Sequence, residues 1–163
     1  MAYNTIKIKK YADVVYEFEA HAAITPGMLL ELNSDNEVLA HDTAAGNVVP
    51  VMFALEDELQ GHGIDDDYAA GDQVQVWIPG RGDIVNALLR DEQTITIGEL
   101  LESDGEGKLQ THTAVAGDST TGTVVNPIVG MAVEAVDLST LPEGSESSAG
   151  GAYHNPRIKV MIL

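Results

Sequence analysis

The chain has 163 residues, 44% of them hydrophobic, with no cysteine and a formal net charge of −18. That length and apolar content suit one ordinary domain with a real core, and the missing cysteines exclude disulfides, thiolate metal centres and cysteine nucleophiles. The acidity repels phosphate backbones and anionic lipid, which disfavours nucleic-acid and membrane partners.

No apolar run approaches the ~20 residues that cross a bilayer. The opening "MAYNTIKIKKY" lacks the apolar run and cleavage site of a signal peptide, so the expectation is a soluble protein made in a cytoplasm. In "TIKIKKY", Ile6 and Ile8 alternate with Thr5, Lys7 and Lys9, the pattern of a strand. Lys7, Lys9 and Lys10 form the densest basic cluster in a chain with only 8 Lys and Arg. They read either as lysines protecting an edge strand or as an arm that docks on an acidic partner.

"VVYEFEA" opposes Tyr16 and Phe18 to Val15, Glu17 and Glu19. "MLLELNSDNEVLAHD" reads as a hairpin, Met28 to Leu32 and Glu37 to Ala40, around a turn at Asn33 to Asn36. "DQVQVWI" puts Val74, Val76 and Ile78 on one face. Trp77 falls on the other, which suits burial, packing under the N-terminal arm, or a subunit interface, where tryptophan is enriched. "GDIVNALLRDE" is ambiguous between a short helix capped by Asp83 and a strand with Ile84, Asn86 and Leu88 on one face. "RIKVMIL" closes the chain with Ile158, Val160 and Ile162 on one side. The 16 glycines and many Asn, Asp and Ser residues agree with short strands and tight turns, so the class is mainly β.

Two stretches repeat one another. "TPGMLLELNSDNEVLAHDT" begins at Thr25 and "TIGELLESDGEGKLQTHT" at Thr96, with a one-residue gap at the turn and a histidine in each (His41, His112). "GNVVPVMFALED" is echoed by "GTVVNPIVGMAVEA", and "DQVQVWI" by "RIKVMIL". Each copy is too small to bury both faces of its sheet. Two copies together predict a small β-barrel or sandwich with pseudo-twofold symmetry. On this reading residues 1–20 are an extended N-terminal arm. Residues 21–163 form one β domain of two repeats, about 25–78 and 96–162, and the second carries a longer insertion at 142–156.

The chain offers little catalytic chemistry. Starting a calcium loop at Asp65 satisfies positions one and three, but Ala69, Ala70 and Val76 occupy the fifth, sixth and twelfth positions, so the spacing fails. Arg81-Gly82-Asp83 would need an exposed loop on an extracellular protein. The five histidines have no paired ligand spacing. No phosphate-cradling glycine motif or G-x-S-x-G elbow occurs, so neither a cofactor nor an enzyme is expected.

The order of these elements carries a resemblance. A lysine-bearing arm precedes "ITPGMLLELNSDNEVLAHDTAAGNVVPVMFALEDE", then "GIDDDYAAGDQVQVWIPGRGDIVNALL" and "ITIGELLESDGEGKLQ". This resembles the capsid decoration (cement, or head-stabilising) proteins of tailed bacteriophages, over roughly residues 1–135 and into the last strand. The resemblance implies a non-enzymatic β-rich protein, synthesised in the bacterial host cytoplasm, that binds the outer surface of the virion capsid. It implies the major capsid protein as partner and a homo-oligomer, a trimer being favoured. On this expectation Lys7, Lys9 and Lys10 meet an acidic capsid surface, Tyr11, Tyr16 and Phe18 supply apolar anchoring, and Trp77 lies in a contact. The competing expectation is a small-ligand or carbohydrate-binding β-barrel, with a calcium ion at Asp65 to Asp67 as its variant.

Overall fold

The computed structural model describes residues 6–9, 15–42, 50–113, 127–140 and 155–163. The elements in them are all strands: β1 (Lys7–Lys9), β2 (Val15–Ala20), β3 (Leu30–Leu32), β4 (Glu37–Ala40), β5 (Phe53–Ala54), β6 (Gln73–Trp77), β7 (Ile84–Leu88), β8 (Thr94–Ile95), β9 (Leu100–Ser103), β10 (Leu109–Thr111), β11 (Gly130–Ala132), β12 (Val136–Asp137) and β13 (Arg157–Ile162). The mainly β expectation therefore holds. The strands build a five-stranded sheet ordered β3-β4-β2-β6-β5, a six-stranded sheet ordered β1-β7-β13-β11-β9-β10, and a ribbon of β12 and β8. Among the described residues no continuous ladder closes either sheet into a barrel. Single bridges curl the sheets: Leu29 with Phe53 joins the two edges of the first, and Leu89, just after β7, meets Leu109 on the β10 edge of the second.

The ambiguous stretch after Arg81 is a turn followed by a strand. Asp83 does not cap a helix; its carboxylate accepts the Gly80 N–H at 2.8 Å. Ile84 to Leu88 then pair with β13 over five positions. The core-facing set is Val85, Ala87 and Leu89, the opposite parity from Ile84, Asn86 and Leu88.

Burial divides into two clusters. The larger lies between the sheets and gathers Leu29, Phe53, Leu55 and Trp77 with Val85, Leu101, Leu109, Ile158 and Val160, among others. The smaller is lined by Ala20, Ile24, Leu30, Val38, Met52, Ala54, Tyr68, Val74 and Val76. Strand β6 serves both, with Val74 and Val76 toward the smaller and Trp77 toward the larger. Burying both faces of a strand is why its sequence is apolar on both parities at that end.

The two hairpins share their hydrogen bonds position by position. Asn33 N–H donates to Glu37 C=O at 3.0 Å, and Asp104 N–H to Lys108 C=O at 3.0 Å. The Asn33 side-chain oxygen accepts from the N–H groups of Asp35 and Glu37, and the Asp104 carboxylate accepts from those of Glu106 and Lys108. These are Asx turns, in which a short side chain replaces a backbone acceptor. The match needs no gap at the turn, since Asn36 at φ 64 corresponds to Gly107 at φ 76. Gly27 N–H donates to Ala54 C=O and Gly98 N–H to Ala132 C=O, both at 2.9 Å. Leu55 N–H bonds Gln75 C=O at 2.8 Å, as Val133 N–H bonds Lys159 C=O at 3.0 Å.

The correspondence extends into the stretch expected to be an arm. Strand β2 lies inside the five-stranded sheet, parallel to β4 and antiparallel to β6. Tyr16 opposes Val76 and Phe18 opposes Val74, as Val85 opposes Val160 and Ala87 opposes Ile158. Ala20 N–H bonds Asp72 C=O, and Leu89 N–H bonds Pro156 C=O, each at 2.8 Å.

The sheets are fastened to each other through backbone groups. Strand β1 crosses over to pair with β7. There the Ile6 C=O accepts Asn86 N–H at 2.9 Å, and Ile6 N–H donates to the Glu56 carboxylate at 3.1 Å. Leu88 N–H donates to Gly27 C=O at 3.0 Å, and Leu29 N–H to Gly107 C=O at 2.8 Å. Glycine is favoured at position 107: besides its positive φ, a Cβ there would sit 3.0 Å from the Ala40 Cβ and 3.3 Å from the Leu29 carbonyl oxygen.

Candidate interaction surface

Lys7 and Lys9 lie on β1, an edge strand held against β7, so their charge is carried on a paired strand. Ile6, just before β1, is fully buried. Lys10 and Tyr11 lie outside the described residues. Tyr16 and Phe18 share one side of β2, with ring centroids 6.0 Å apart and planes tilted by 39°. Phe18 packs against the smaller core, whereas Tyr16 is 51% exposed. Val15, beside them, is also exposed. The structure therefore brings Tyr16 and Phe18 together at a surface.

Trp77 is not part of that surface. It is fully buried in the larger core, flanked on its neighbouring strands by Val15 and Phe53. This corrects the expectation of a contact role. The alternation correctly turned Trp77 away from Val76, but the face it turned to is a second core and not solvent. Its indole Nε1 is buried with no hydrogen-bond partner among the described residues, which is unusual for a buried donor.

The aspartates that resemble a metal loop have structural partners. Asp65 pairs with the Arg157 guanidinium at 2.8 Å, and Asp66 accepts the Gly63 N–H at 2.7 Å. Arg157 is the residue that sequence reasoning missed. Its side chain is 7% exposed and also donates to the carbonyls of Ile64, Pro26 and Asn155. One guanidinium from β13 thus clamps two loops of the other sheet, using the planar fork of donors that lysine lacks. Among the described residues no group of three or more His, Asp or Glu side chains converges as a metal-ligand set. Arg81-Gly82-Asp83 forms part of the β6–β7 turn, with Asp83 1% exposed and out of reach of a receptor.

The matched histidines face matching glutamates at different distances. Buried His41 pairs with the Ser103 hydroxyl at 2.7 Å through Nδ1 and has Nε2 3.7 Å from the Glu31 carboxylate, whereas His112 Nδ1 pairs with the buried Glu102 carboxylate at 2.8 Å. Near the first hairpin, the Asn33 side-chain amide and then His21 hold the Glu37 carboxyl below the usual carboxylate range.

A hollow of about 350 Å³ is lined by Asp57, Gln60, His62, Tyr68, Gly71, Asp72 and Gln73. Several of its polar groups face their own chain: Tyr68 O–H donates to Leu55 C=O at 2.9 Å, and Asp72 accepts the Ala69 N–H at 2.7 Å. Burial pushes the Tyr68 phenol up from 10.0 to about 12, with Asp57 and Glu56 adding to the rise. The neutral phenol is thus favoured by folding. Its contribution is complete below pH 10 and is lost as pH rises toward 12, because the unfolded chain ionises first. Urea melts between pH 8 and pH 12 are expected to show falling stability above pH 10. In Tyr68→Phe that fall is expected to shrink, and the neutral-pH baseline to drop by about 1 kcal/mol.

No protein-family model matches this chain, and no curated protein matches it.

Proposed function

We propose that the protein is a structural virion protein of a tailed bacteriophage, a capsid decoration protein that binds the outer surface of the head and stabilises contacts between major capsid subunits. The observation that carries the reading is the construction of the molecule. Two curled sheets are interlocked by β1 and by the Arg157 clamp, while the aromatic pair Tyr16 and Phe18 stands at a surface close in sequence to the lysine-bearing strand. The resemblance in element order and the strong acidity, which suits an outer face better than packaged DNA, support the same reading. The finer architecture belongs with it: two repeated β units, with the matched hydrogen bonds of the hairpins in support. The matched register of β2 and β7 extends the first unit back to Val15, leaving an arm shorter than residues 1–20. Assembly as a trimer, with the major capsid protein as partner, is part of the proposal.

The experiment is co-sedimentation with expanded heads assembled from the accompanying major capsid protein. Deleting the N-terminal segment is a poor test, since it removes buried Ile6. Reversing Lys7, Lys9 and Lys10 to glutamate leaves Ile6 in place and is expected to abolish binding while leaving the far-UV CD spectrum unchanged. Undiminished binding by this variant would remove the lysines from the contact, and no binding by the unaltered protein would sink the reading. The alternative, a ligand-binding module with calcium at Asp65 to Asp67, has less support because Asp65 is committed to Arg157.

A further inference from the structure

We propose that the outer edge of β2, from Val15 to Glu17, is a docking site for an extended, lysine-bearing strand of a partner protein. The inference goes beyond the capsid reading and does not depend on it.

The argument begins with β7, whose register on β13 matches that of β2 on β6. The outer edge of β7 is occupied: β1 pairs with Ile84 and Val85, and the Ile6 C=O takes the Asn86 N–H at 2.9 Å. Among the described residues the matching edge of β2 is unpaired before Glu19. Ala20 N–H bonds Asp72 C=O and Glu19 opposes Gln73. The alternation of an antiparallel ladder then directs the N–H and C=O of Val15 and Glu17 away from β6. Strand β4 covers β2 only at Glu19 and Ala20, and no described residue pairs with the edge before them. Val15 and Tyr16 are exposed, at 38% and 51%. A bare edge with exposed apolar side chains is a template for strand addition.

The occupant follows from what fills the matching edge. Strand β1 belongs to a segment in which Ile6 and Ile8 alternate with Lys7 and Lys9. On β2 the edge is flanked by exposed Glu17 and Glu19, which favours a strand carrying lysines. Among the described residues each copy has one such edge strand, β1, and two such edges; β13 also carries Lys159 between β-branched residues, but it is paired on both sides. Exchange of β1 among copies therefore leaves one edge per chain over, and the occupant is a strand of a different protein with alternating β-branched and lysine residues.

The probe is the capped peptide Thr5 to Lys10 of this sequence, titrated into the full-length protein and followed by amide NMR. Saturable shifts at Val15 and Glu17 are expected, with slowed hydrogen exchange at the Glu17 N–H. Glu17→Pro removes the outward donor without touching the β6 ladder and is expected to weaken binding at least about tenfold. A peptide N-methylated at alternate residues is expected to weaken it equally, and that arm decides the question if Glu17→Pro fails to fold. No saturable shift up to about 1 mM peptide, equal binding by the methylated peptide, or shifts confined to β7 through displacement of β1 would each overturn the proposal.

Discussion

Trp77→Ala is expected to lower the unfolding free energy by about 3–5 kcal/mol, the range for deleting a large buried aromatic. The side chain is fully buried between the sheets, with Leu29, Phe53 and Leu55 from one and Val85, Val160 and Ile162 from the other in the same cluster. Its loss opens a cavity at the seam. Trp77→Phe is expected to cost much less, under about 2 kcal/mol, because it also removes the unpaired Nε1 donor. Urea unfolding followed by far-UV CD checks both, since the substitutions remove the fluorescence signal. A loss below about 1 kcal/mol for the alanine variant would mean that the seam is not a continuous core.

Gly130→Val is expected to prevent folding altogether. Strand β11 is paired on both edges, with β13 and with β9. A Cβ at Gly130 would lie 2.4 Å from Val160 Cγ1 and 2.6 Å from the Met161 carbonyl oxygen. The second contact is with backbone, so no rotamer change relieves it, and the ladders on either side block a shift. Gly130→Ala should already cost about 3 kcal/mol or more. Gly63→Ala, whose nearest neighbour is the Asp66 carboxylate at 3.6 Å, is the control and should change stability by less than about 0.5 kcal/mol. Soluble yield and thermal melts of the three variants make the comparison.

What could be read from the sequence was whatever is local. The hairpin at Met28 to Ala40 announces itself through Asn33 and its turn, and β6 and β13 through strict alternation, because side-chain periodicity and turn chemistry act over a few residues. The similarity of the two hairpins was visible for the same reason, though the apparent gap disappears once Asn36 and Gly107 are matched by φ. Non-local facts were not legible. Whether β2 hangs free or lies inside a sheet depends on β4 and β6 accepting it, and alternation in "VVYEFEA" reads the same either way. For Trp77 the sequence left burial and a contact role both open, because polarity patterns tell two faces apart without saying that both are covered. The Arg157 clamp joins groups 92 residues apart, and nothing near either partner in the chain signals it. For the interaction surface, Tyr16 and Phe18 stood out as aromatics among glutamates, but the open backbone edge beside them has no sequence signature.

The placement of β1 and β13 has a mechanical consequence. Both run antiparallel to β7, one on each side of it, so the first and last of the described strands point the same way. Tension applied between the two ends pulls β1 and β13 in opposite directions along β7. The hydrogen bonds of both ladders are then loaded side by side in shear, and cannot open one at a time like a zipper. Such a chain resists stretching from its ends until a whole ladder slips, a property set by strand direction alone.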